Sequence, residues 1–375
     1  DIDGIVDLAK KLSVDMVVVA PDDPLVMGMV DALTAEGIRA FGPDKSAAVI
    51  EGSKVFSKNL MKKYEIPTAG YEVFDNSADA ISYIEKNNKY PIVIKADGLA
   101  LGKGVIIAED FDEAKAAVNT IMEDKIFGSS GLNVVIEEYL TGPEVSVLCF
   151  TDSKTISPMV TSMDHKRAND NDEGLNTGGM GTVAPNPYYT QEISDICMEK
   201  IFIPTIEAMN SENRKFKGCL YFGLMLTEEG PKVIEYNCRF GDPETEAILP
   251  RLESSLADVL MKTAQGRVSE INMKWSEKPS VCVVMASEGY PGTLRKGFEI
   301  TGIEDAEKDG AIVFHAGTSV RDGKIVNSGG RVLVVTADGE QVTDAIAKAY
   351  EAVAKIHWTG VQYRHDIAKR AVNRK

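Results

Sequence analysis

The sequence predicts a multidomain fold of the α/β and α+β classes, and three observations support this prediction. The chain has 375 residues, which is long for one hydrophobic core, so two or three domains are expected. Strand-like and helix-like patterns alternate from Tyr71 to about Phe150. After the polar stretch 269–279, short β runs precede a single closing helix, which is typical of a separate small α+β domain.

Residues 1–49 predict an incomplete Rossmann-like domain. An amphipathic helix that includes Ile5 and Leu12 leads into the apolar strand MVVVA. A second helix begins after the turn 21–24 and ends at Gly37, and a short strand over 38–41 follows. Two strands do not make a stable open sheet alone, so we expect a first strand and its glycine turn to be missing from this domain.

Residues 50–267 predict a central domain, and residues 268–375 predict the small α+β domain. In the central domain a helix over 50–66 closes at Pro67, and further helices are expected near 78–86 and 112–123. Its expected strands have the sequences YEVF, PIVIK, GVIIAE, VVIEEYL and EVSVLCF, followed by the hairpin CLYFGLMLT–KVIEYN. The small domain is expected to contain the strands VCVVMA, AIVFHAG and GRVLVVT and a helix around 341–356.

Composition and charge exclude several classes of protein. Apolar residues make up 44% of the chain, as in ordinary globular proteins, and no apolar run approaches the roughly 18 residues of a membrane span. The net charge of −16 argues against a general nucleic-acid surface, but phosphate ligands need only a few local lysines. The cysteines are scattered and odd in number, which favours reduced thiols in the cytoplasm. They are Cys149, Cys197, Cys219, Cys238 and Cys282.

A glycine-rich turn at 97–104 connects two of the predicted strands. Gly98, Gly102 and Gly104 allow backbone conformations that direct several N–H groups toward an anion. The spacing is not that of a P-loop, because three residues separate Gly98 from Gly102 and no helix follows. The turn is interpreted either as a flexible flap over phosphates or as a solvent-exposed hairpin. Lys95 ends the preceding apolar strand and would meet the phosphates, since a buried ammonium needs a partner.

A second turn follows the strand that ends at Leu140, and Glu144 opens the next strand. Backbone groups at such a strand end can form hydrogen bonds with the edge of an adenine, and Glu144 would accept hydrogen bonds from both ribose hydroxyls. An ordinary β-turn flanked by surface glutamates is the alternative interpretation.

The most informative segment is KVIEYNCRFGDPE. Because side chains alternate across a strand, Val233, Glu235, Asn237 and Arg239 are expected on one face. Glu and Asn supply the hard oxygen ligands that Mg²⁺ prefers, and a nearby guanidinium can neutralise a transferring phosphoryl group. A solvated face with a surface ion pair is the alternative.

The segment 164–181 is expected to be a long polar loop without secondary structure. Loops of this length inside compact domains are usually functional or disordered. Asp164, Lys166 and Arg167 bring charge to its start, and the glycines of TGGMG (177–181) offer N–H groups and tight turns. Such a loop would suit a small zwitterion or a phosphorylated sugar, with disorder as the alternative. His165 is interpreted either as a general base or as a structural histidine.

Taken together, these motifs resemble the ATP-grasp superfamily and, more narrowly, the glycinamide ribonucleotide synthetases. The most specific segments occur in the order IKADGL (94–99), DHKR (164–167), NTGGMG (176–181) and NCRFGDPE (237–244). The resemblance covers nearly the whole chain and implies an ATP-grasp central domain with a flap subdomain at about 67–138. One departure is the neighbourhood Gly223-Leu224-Met225, where many members carry a further metal-binding carboxylate.

The resemblance also implies residue roles. Glu235 and Asn237 would bind Mg²⁺ or Mn²⁺, while Arg239, Lys95 and Asp242 would act in catalysis. The implied ATP contacts are Lys54, Lys95, Gly98, Gly102, Lys103, Gly104, Glu137, Tyr139, Leu140 and Glu144. The implied contacts to the other substrates are Asp164, Lys166, Arg167, Asn176, Thr177, Gly178, Gly179 and Arg239. Lys54 and Lys58 lie on one helix face at i and i+4, so the sequence leaves open which of them reaches the nucleotide.

The implied activity is an ATP-dependent ligation. Glycine would attack the γ-phosphorus of ATP to give glycyl phosphate, and the amine of 5-phosphoribosylamine would then displace phosphate. The implied partners are these small molecules, without nucleic acid or membrane, and a monomeric cytoplasmic enzyme of purine biosynthesis is expected. Two alternatives stay open: another carboxylate–amine ligase of the superfamily, and an inactive ATP-binding module that lacks the N-terminal segment.

Overall fold

The computed structural model describes residues 1–100, 104–124 and 126–372. Contacts within the chain group it into two compact units. Unit 1 consists of Asp1–Met159, Thr190–Phe240 and Ser255–Asn272, and unit 2 consists of Val160–Tyr189, Gly241–Ser254 and Met273–Lys375. Each unit combines several chain segments, so the predicted boundaries after residues 49 and 267 remain predictions. Among the described helices, none is long and apolar enough to cross a membrane.

The N-terminal part of unit 1 has the predicted α/β pattern. The strands Val17–Val18 and Ala40–Phe41 pair in parallel, as expected for a βαβ connection. The predicted second helix is divided at Gly28, which takes a left-handed φ of 98°. The helices of this part are Ile2–Leu12, Asp22–Met27 and Met29–Ala35.

The prediction of one helix over 50–66 is wrong, because two helices, Lys45–Gly52 and Lys54–Lys63, meet at Ser53. Ser53 is extended, with a φ of −143°, and its hydroxyl accepts a hydrogen bond from the backbone N–H of Phe56 as the N-cap of the second helix. The same hydroxyl donates to Asp97 Oδ1 at 2.9 Å. The cap places the N-terminus of the second helix against the predicted glycine turn.

The first sheet of unit 1 contains the predicted strands on either side of that turn. In the described part of the chain its order is Tyr71–Phe74, Val134–Glu138, Ile92–Ala96 and Val105–Ala108, with antiparallel pairing throughout. The helices Ser77–Asn87 and Phe111–Met122 carry apolar residues into the same hydrophobic core as this sheet. A 3₁₀ turn, Gly128–Gly131, precedes the strand Val134–Glu138.

The second sheet of unit 1 supplies the other predicted strands. Its described order is Gly230–Asn237, Gly218–Thr227, Glu144–Thr151 and Ile156–Pro158, again antiparallel. One face is covered by aromatic contacts, since the rings of Phe202 and Phe222 lie 4.4 Å apart. The helical segments of this layer are Gln191–Cys197, the π-helical Met198–Phe202 and Ile203–Ser211. The segments Leu256–Ala264 and Val268–Glu270 complete the unit.

Unit 2 is an α+β unit built on one antiparallel sheet. The described strand order is Ile312–His315, Arg331–Asp338, Ser280–Ala286, Gly181–Ala184 and Met163–Asp164. Its strands and the helix Val342–Val353 share a buried core, which confirms the C-terminal strands and helix expected from the sequence. The remaining elements are the helices Glu244–Ile248, Ile303–Lys308 and Lys369–Val372, the 3₁₀ turn Leu249–Arg251 and the hairpin Thr318–Arg321 with Lys324–Asn327.

The prediction that 164–181 lacks secondary structure is also wrong. Arg167–Asn169 and Glu173–Asn176 form an antiparallel pair around the 3₁₀ turn Asp170–Asp172. The pair has exposed or half-buried side chains on both faces, so it shows no alternation of apolar and polar residues. Sequence patterns detect a strand by that alternation, and they therefore missed this hairpin.

Candidate active site

Two lysines and one glutamate form a buried charged trio in unit 1. Glu137 forms an ion pair with Lys95 Nζ at 2.9 Å through one carboxylate oxygen and with Lys58 Nζ at 2.9 Å through the other. All three side chains are at most 4% exposed. Two ammonium groups share one carboxylate, so the trio carries one positive charge without a counterion inside it. An anion is the natural complement of such a group.

Lys95 is the member of the trio that reaches the second sheet. Its ammonium also donates to the backbone carbonyl of Ile234 at 3.2 Å, next to the predicted metal ligand Glu235. Lys58 instead donates to Thr68 Oγ1 at 2.8 Å and lies over the ring of Tyr71. Burial lowers the pKa of Lys58 to about 8, although the Glu137 charge opposes the shift.

Lys54 lies at the glycine turn. Its ammonium donates to the carbonyl of Gly98 at 3.1 Å, and its backbone N–H donates to the carbonyl of Asp97 at 2.9 Å. Burial lowers the pKa of Lys54, the charge of Glu235 raises it and Lys95 lowers it, so the predicted phosphate and metal residues act on one another. Lys54 thus contacts the glycine turn, whereas Lys58 contacts Glu137 and Thr68. Which of the two reaches the nucleotide stays a prediction.

The strands on either side of the glycine turn, Ile92–Ala96 and Val105–Ala108, pair in antiparallel, as the predicted hairpin requires. Ala96 N donates to the carbonyl of Gly104 at 2.8 Å, which closes the turn between the two strands. A Cβ at Gly98 would lie 2.5 Å from the hydroxyl oxygen of Ser130, so this position has no room for a side chain. The predicted ATP contacts Gly102 and Lys103 lie outside the described residues.

Glu235 and Asn237 lie on one face of the second sheet. They pair directly with Gly223 and Tyr221 of the neighbouring strand. The expectation that Val233 shares this face is wrong, because a bulge at Ile234 brings Val233 opposite Leu224 and turns it to the other side. Since Gly223 pairs with Ser146 and Met225 with Glu144, the predicted ribose residue Glu144 lies on the same face as Glu235.

Glu51 is a functional candidate that the sequence analysis missed. Its buried carboxylate accepts hydrogen bonds from Asn237 Nδ2 at 3.0 Å and from the backbone N–H of Cys238 at 2.7 Å, and it pairs with Arg239 Nη2 at 3.0 Å. Burial raises the pKa of Glu51, and Arg239 and the Cys238 N–H oppose this shift. The sequence did contain one indication of this role, because the glutamate directly follows the apolar run AAVI in its helix.

The donor set around Glu235 fits a hard divalent cation. Glu51 holds the amide nitrogen of Asn237, so the amide oxygen is the atom that would face a cation beside the Glu235 carboxylate. Gly223, opposite Glu235, contributes no carboxylate, and a Cβ there would lie 3.1 Å from Glu235 Cγ. Within the described ranges, no three His, Cys, Asp or Glu side chains group into a metal site. Two protein oxygens suit Mg²⁺, which completes its octahedron with water and nucleotide phosphates.

The predicted adenine residues follow the strand Val134–Glu138. The side chain of Tyr139 is 42% exposed, and Leu140 is half-buried. The Glu137 side chain forms ion pairs with Lys58 and Lys95, so in this structure it acts as a counterion to the two lysines. The contribution of Tyr139 and Leu140 to adenine binding stays a prediction.

In unit 2 the predicted substrate residues lie at the base of the 164–181 hairpin. Arg167 pairs with Asn176, and both the backbone N–H and the hydroxyl of Thr177 donate to the carbonyl of Lys166 at 2.8 Å. Asp164 pairs with Thr182 at the edge of the sheet. The hairpin therefore gathers its predicted residues within a short distance of one another.

Arg331 joins that hairpin to the predicted catalytic residue Asp242. Its guanidinium donates to the carbonyls of Gly178 and Asp242, each at 2.8 Å, and pairs with Asp242 Oδ2 at 3.0 Å. Arg331 is a second candidate residue that the sequence analysis did not identify. Nearby, burial and the charge of Asp242 raise the pKa of Glu246 to about 8.

His165 is a structural residue in this arrangement. It is 1% exposed; Nδ1 lies 3.0 Å from the carbonyl of Gly181, and Nε2 accepts the backbone N–H of Ala368 at 3.1 Å. Burial, with help from Arg370 and Arg364, lowers the pKa of His165 to about 4. Both ring nitrogens have partners in the neutral form, so the general-base interpretation loses its support.

Comparisons with known proteins agree along the whole chain. The phosphoribosylglycinamide synthetase N domain matches residues 1–51, the ATP-grasp (A) domain of the same enzyme matches residues 52–245, and its C domain matches residues 280–370. The phosphoribosylamine–glycine ligase of Caldanaerobacter subterraneus subsp. tengcongensis is 47% identical over 98% of this chain and 88% of its own length. The protein of the same name from Rhodopirellula baltica is 48% identical over 99% of this chain and 87% of its own.

A solved structure supports the same conclusion about the fold. The crystal structure of phosphoribosylamine–glycine ligase from Thermotoga maritima has a TM-score of 0.79 and is 37% identical, covering 87% of this chain and 81% of that one. The predicted fold class, with an ATP-grasp central part, is confirmed by this match and by the family models.

Proposed function

The chain belongs to the phosphoribosylglycinamide synthetase family, and on that premise we propose that it ligates glycine to 5-phosphoribosylamine with ATP. The products are glycinamide ribonucleotide, ADP and phosphate. One observation carries the proposal beyond family membership. Lys95, at the end of one sheet of unit 1, reaches the bulge that precedes Glu235 and Asn237 on the other sheet.

ATP is assigned to unit 1. Lys95 and Lys54 are proposed to neutralise phosphate oxygens, with backbone N–H groups near Gly98 and Gly104 adding hydrogen bonds. The proposed adenine residues are Tyr139 and Leu140, and Glu144 is proposed for the ribose because it shares the face of Glu235.

Glu235 and Asn237 would hold Mg²⁺ or Mn²⁺, which would offset negative charge on the β- and γ-phosphates. The chain's own residues then do the positioning. Arg239, fixed by Glu51, is aimed to stabilise charge on the transferring phosphoryl group. Phosphoryl transfer depends mainly on such positioning and electrostatics, which agrees with a structural rather than a basic His165.

Glycine and phosphoribosylamine are assigned to residues of the 164–181 hairpin and to Asp242, all in unit 2. The hairpin offers the cations of Lys166 and Arg167 for a carboxylate or phosphate group. Asp242, held by Arg331, offers a carboxylate for an ammonium or hydroxyl group. The proposed hairpin contacts are Asp164, Lys166, Arg167, Asn176, Thr177, Gly178 and Gly179.

We propose a monomeric enzyme of the cytoplasm. The five cysteines are buried and free, which suits a reducing compartment. The proposed domains are 1–49, 50–267 with a flap at about 67–138, and 268–375.

Product identification tests the function directly. The protein is incubated with Mg-ATP, phosphoribosylamine and one acid at a time, and the products are analysed by mass spectrometry. Among the acids tested, only glycine is expected to give ADP and the glycinamide product. A product with another amino acid or with bicarbonate would support a different ligase of the superfamily. ATP binding without glycine-dependent ADP release would support an inactive nucleotide-binding module.

A further inference from the structure

A buried arginine in unit 2 holds the tip of the 164–181 hairpin. The Arg364 side chain is 1% exposed, and four of its N–H groups are engaged. Nη1 donates to the carbonyl of Arg167 at 3.1 Å and to Asp172 Oδ1 at 3.0 Å. Nε and Nη2 donate to the two oxygens of Asp366, each at 2.8 Å. This is a two-pronged arginine–carboxylate pair, which fixes orientation as well as charge.

Neighbours of Arg364 hold the rest of the turn Asp170–Asp172. Asp366 Oδ2 accepts the backbone N–H of Asn171 at 2.8 Å. The backbone N–H of His365 donates to Asp170 Oδ1 at 2.7 Å, and Arg370 Nη1 lies 3.1 Å from Asp172 Oδ2. Residues 364–370, which we term the C-terminal clamp, therefore contact every residue of the turn.

The backbone of the turn has positive φ angles at two residues, 61° at Asn171 and 57° at Asp172. Two consecutive left-handed residues are typical of the tight turns that join hairpin strands, and Asn and Asp adopt this conformation more readily than other residues with side chains. The clamp adds a contact to each residue of this turn.

The conformation of the turn sets the register of the residues below it. Arg167 and Asn176 pair across the hairpin, and the Lys166 carbonyl receives both hydrogen bonds of Thr177. A change at the turn would move these residues together, because a register shift of one residue reverses the side of every side chain. The clamp thus controls where the predicted substrate contacts point.

We propose that Arg364 is a positioning residue for substrate binding: it fixes the hairpin that carries Lys166, Arg167 and Thr177 without itself contacting substrate. This inference rests on the proposed function and adds a residue far along the chain from the hairpin. Loss of Arg364 is expected to weaken binding of glycine and phosphoribosylamine while leaving ATP binding nearly unchanged.

The test combines kinetics with hydrogen exchange on the full chain. For Arg364→Met we expect KM for glycine or phosphoribosylamine to rise about tenfold or more, with KM for ATP changed by less than about twofold. Amides of 167–176 are expected to exchange faster, while those of the strand Ser280–Ala286 keep their protection. Arg295→Met is the matched control, since Arg295 forms an exposed ion pair with Glu288 in the same unit. It is expected to change neither readout.

Asp172→Asn covers the case in which Arg364→Met does not fold. It removes the negative charge that pairs with Arg364 and Arg370 on the hairpin but leaves the Arg364–Asp366 pair in place. We expect the KM values and the exchange of amides 167–176 to change in the same directions as in Arg364→Met, but by smaller amounts. Unchanged exchange of 167–176, or an unchanged KM for both substrates in folded variants, would overturn the inference. Absence of glycine-dependent turnover in the unaltered protein would instead refute the proposed function.

Discussion

Replacing Glu51 with glutamine tests whether this residue orients the candidate metal and phosphate site. A glutamine keeps one acceptor oxygen and puts an NH₂ group in place of the other. Glu51 Oε1 contacts Asn237 Nδ2 and Arg239 Nη2, and Oε2 accepts a hydrogen bond from the backbone N–H of Cys238. The new NH₂ group would therefore face at least one of these donors. The substitution nearly preserves volume, so the effect reports on hydrogen bonding and charge.

The expected size follows from those contacts. Leaving a buried donor unpaired costs about 1–3 kcal/mol. The Arg239 pair adds less than about 1 kcal/mol, because that guanidinium is 25% exposed and partly screened. A total of about 1–4 kcal/mol corresponds to a fall in Tm of roughly 1–5 °C for a protein of this size. Since Asn237 and Arg239 also lose their orientation, kcat is expected to fall by about tenfold to a hundredfold.

Thermal unfolding and steady-state ligation, each measured over a range of Mg²⁺ concentrations, provide the assay. The half-saturating Mg²⁺ concentration in the presence of ATP is expected to rise. Glu36→Gln is the control in the same unit, because both side chains of the Lys10–Glu36 pair are exposed and such surface pairs contribute little to stability. A Glu51→Gln protein with the Tm, kcat and Mg²⁺ dependence of the control would refute the orienting role.

Three further predictions concern named residues. Glu235→Ala and Asn237→Ala are each expected to abolish ligation while Tm stays within a few degrees; near-normal turnover at limiting Mg²⁺ would exclude them as ligands. Lys95→Met is expected to weaken ATP binding by about tenfold or more in equilibrium titration, because the trio loses its excess positive charge; equal affinity would remove Lys95 from the site. His165 binds a proton less readily in the folded than in the unfolded protein, so stability should fall as the pH drops from 6.5 toward 4, by at most about 3 kcal/mol. His165→Asn should flatten that part of the profile measured by denaturant unfolding, and an unchanged slope would contradict the assignment.

The sequence predicted the elements whose patterns are set by burial. Apolar alternation identified the strand Ile92–Ala96 and the hairpin that ends at Asn237, and the apolar environment of Lys95 correctly indicated that it needs a partner. That partner, Glu137, lies on a different strand, so no local pattern could name it. The resemblance to a family, rather than periodicity, supplied the residue roles.

The features that the sequence missed depend on contacts between distant segments. The break at Ser53 is fixed by a hydrogen bond to Asp97, and the bulge at Ile234 appears only in the pairing with the neighbouring strand. Arg364 lies 192 residues from Asp172 along the chain, so its role becomes visible only in the fold. Propensities report on neighbours in sequence, whereas these residues act through neighbours in space.

If Lys95 binds nucleotide and Glu235 binds the divalent ion as proposed, the hydrogen bond from Lys95 to the bulge carbonyl of Ile234 would couple the two binding events. A ligand that moves the ammonium also moves the carbonyl beside Glu235, so occupancy at one end alters affinity at the other. Thermodynamic reciprocity then requires the divalent ion to strengthen nucleotide binding by the same factor by which nucleotide strengthens binding of the ion. Measuring both affinities with and without the second ligand gives that factor, and Lys95→Met should bring it toward one.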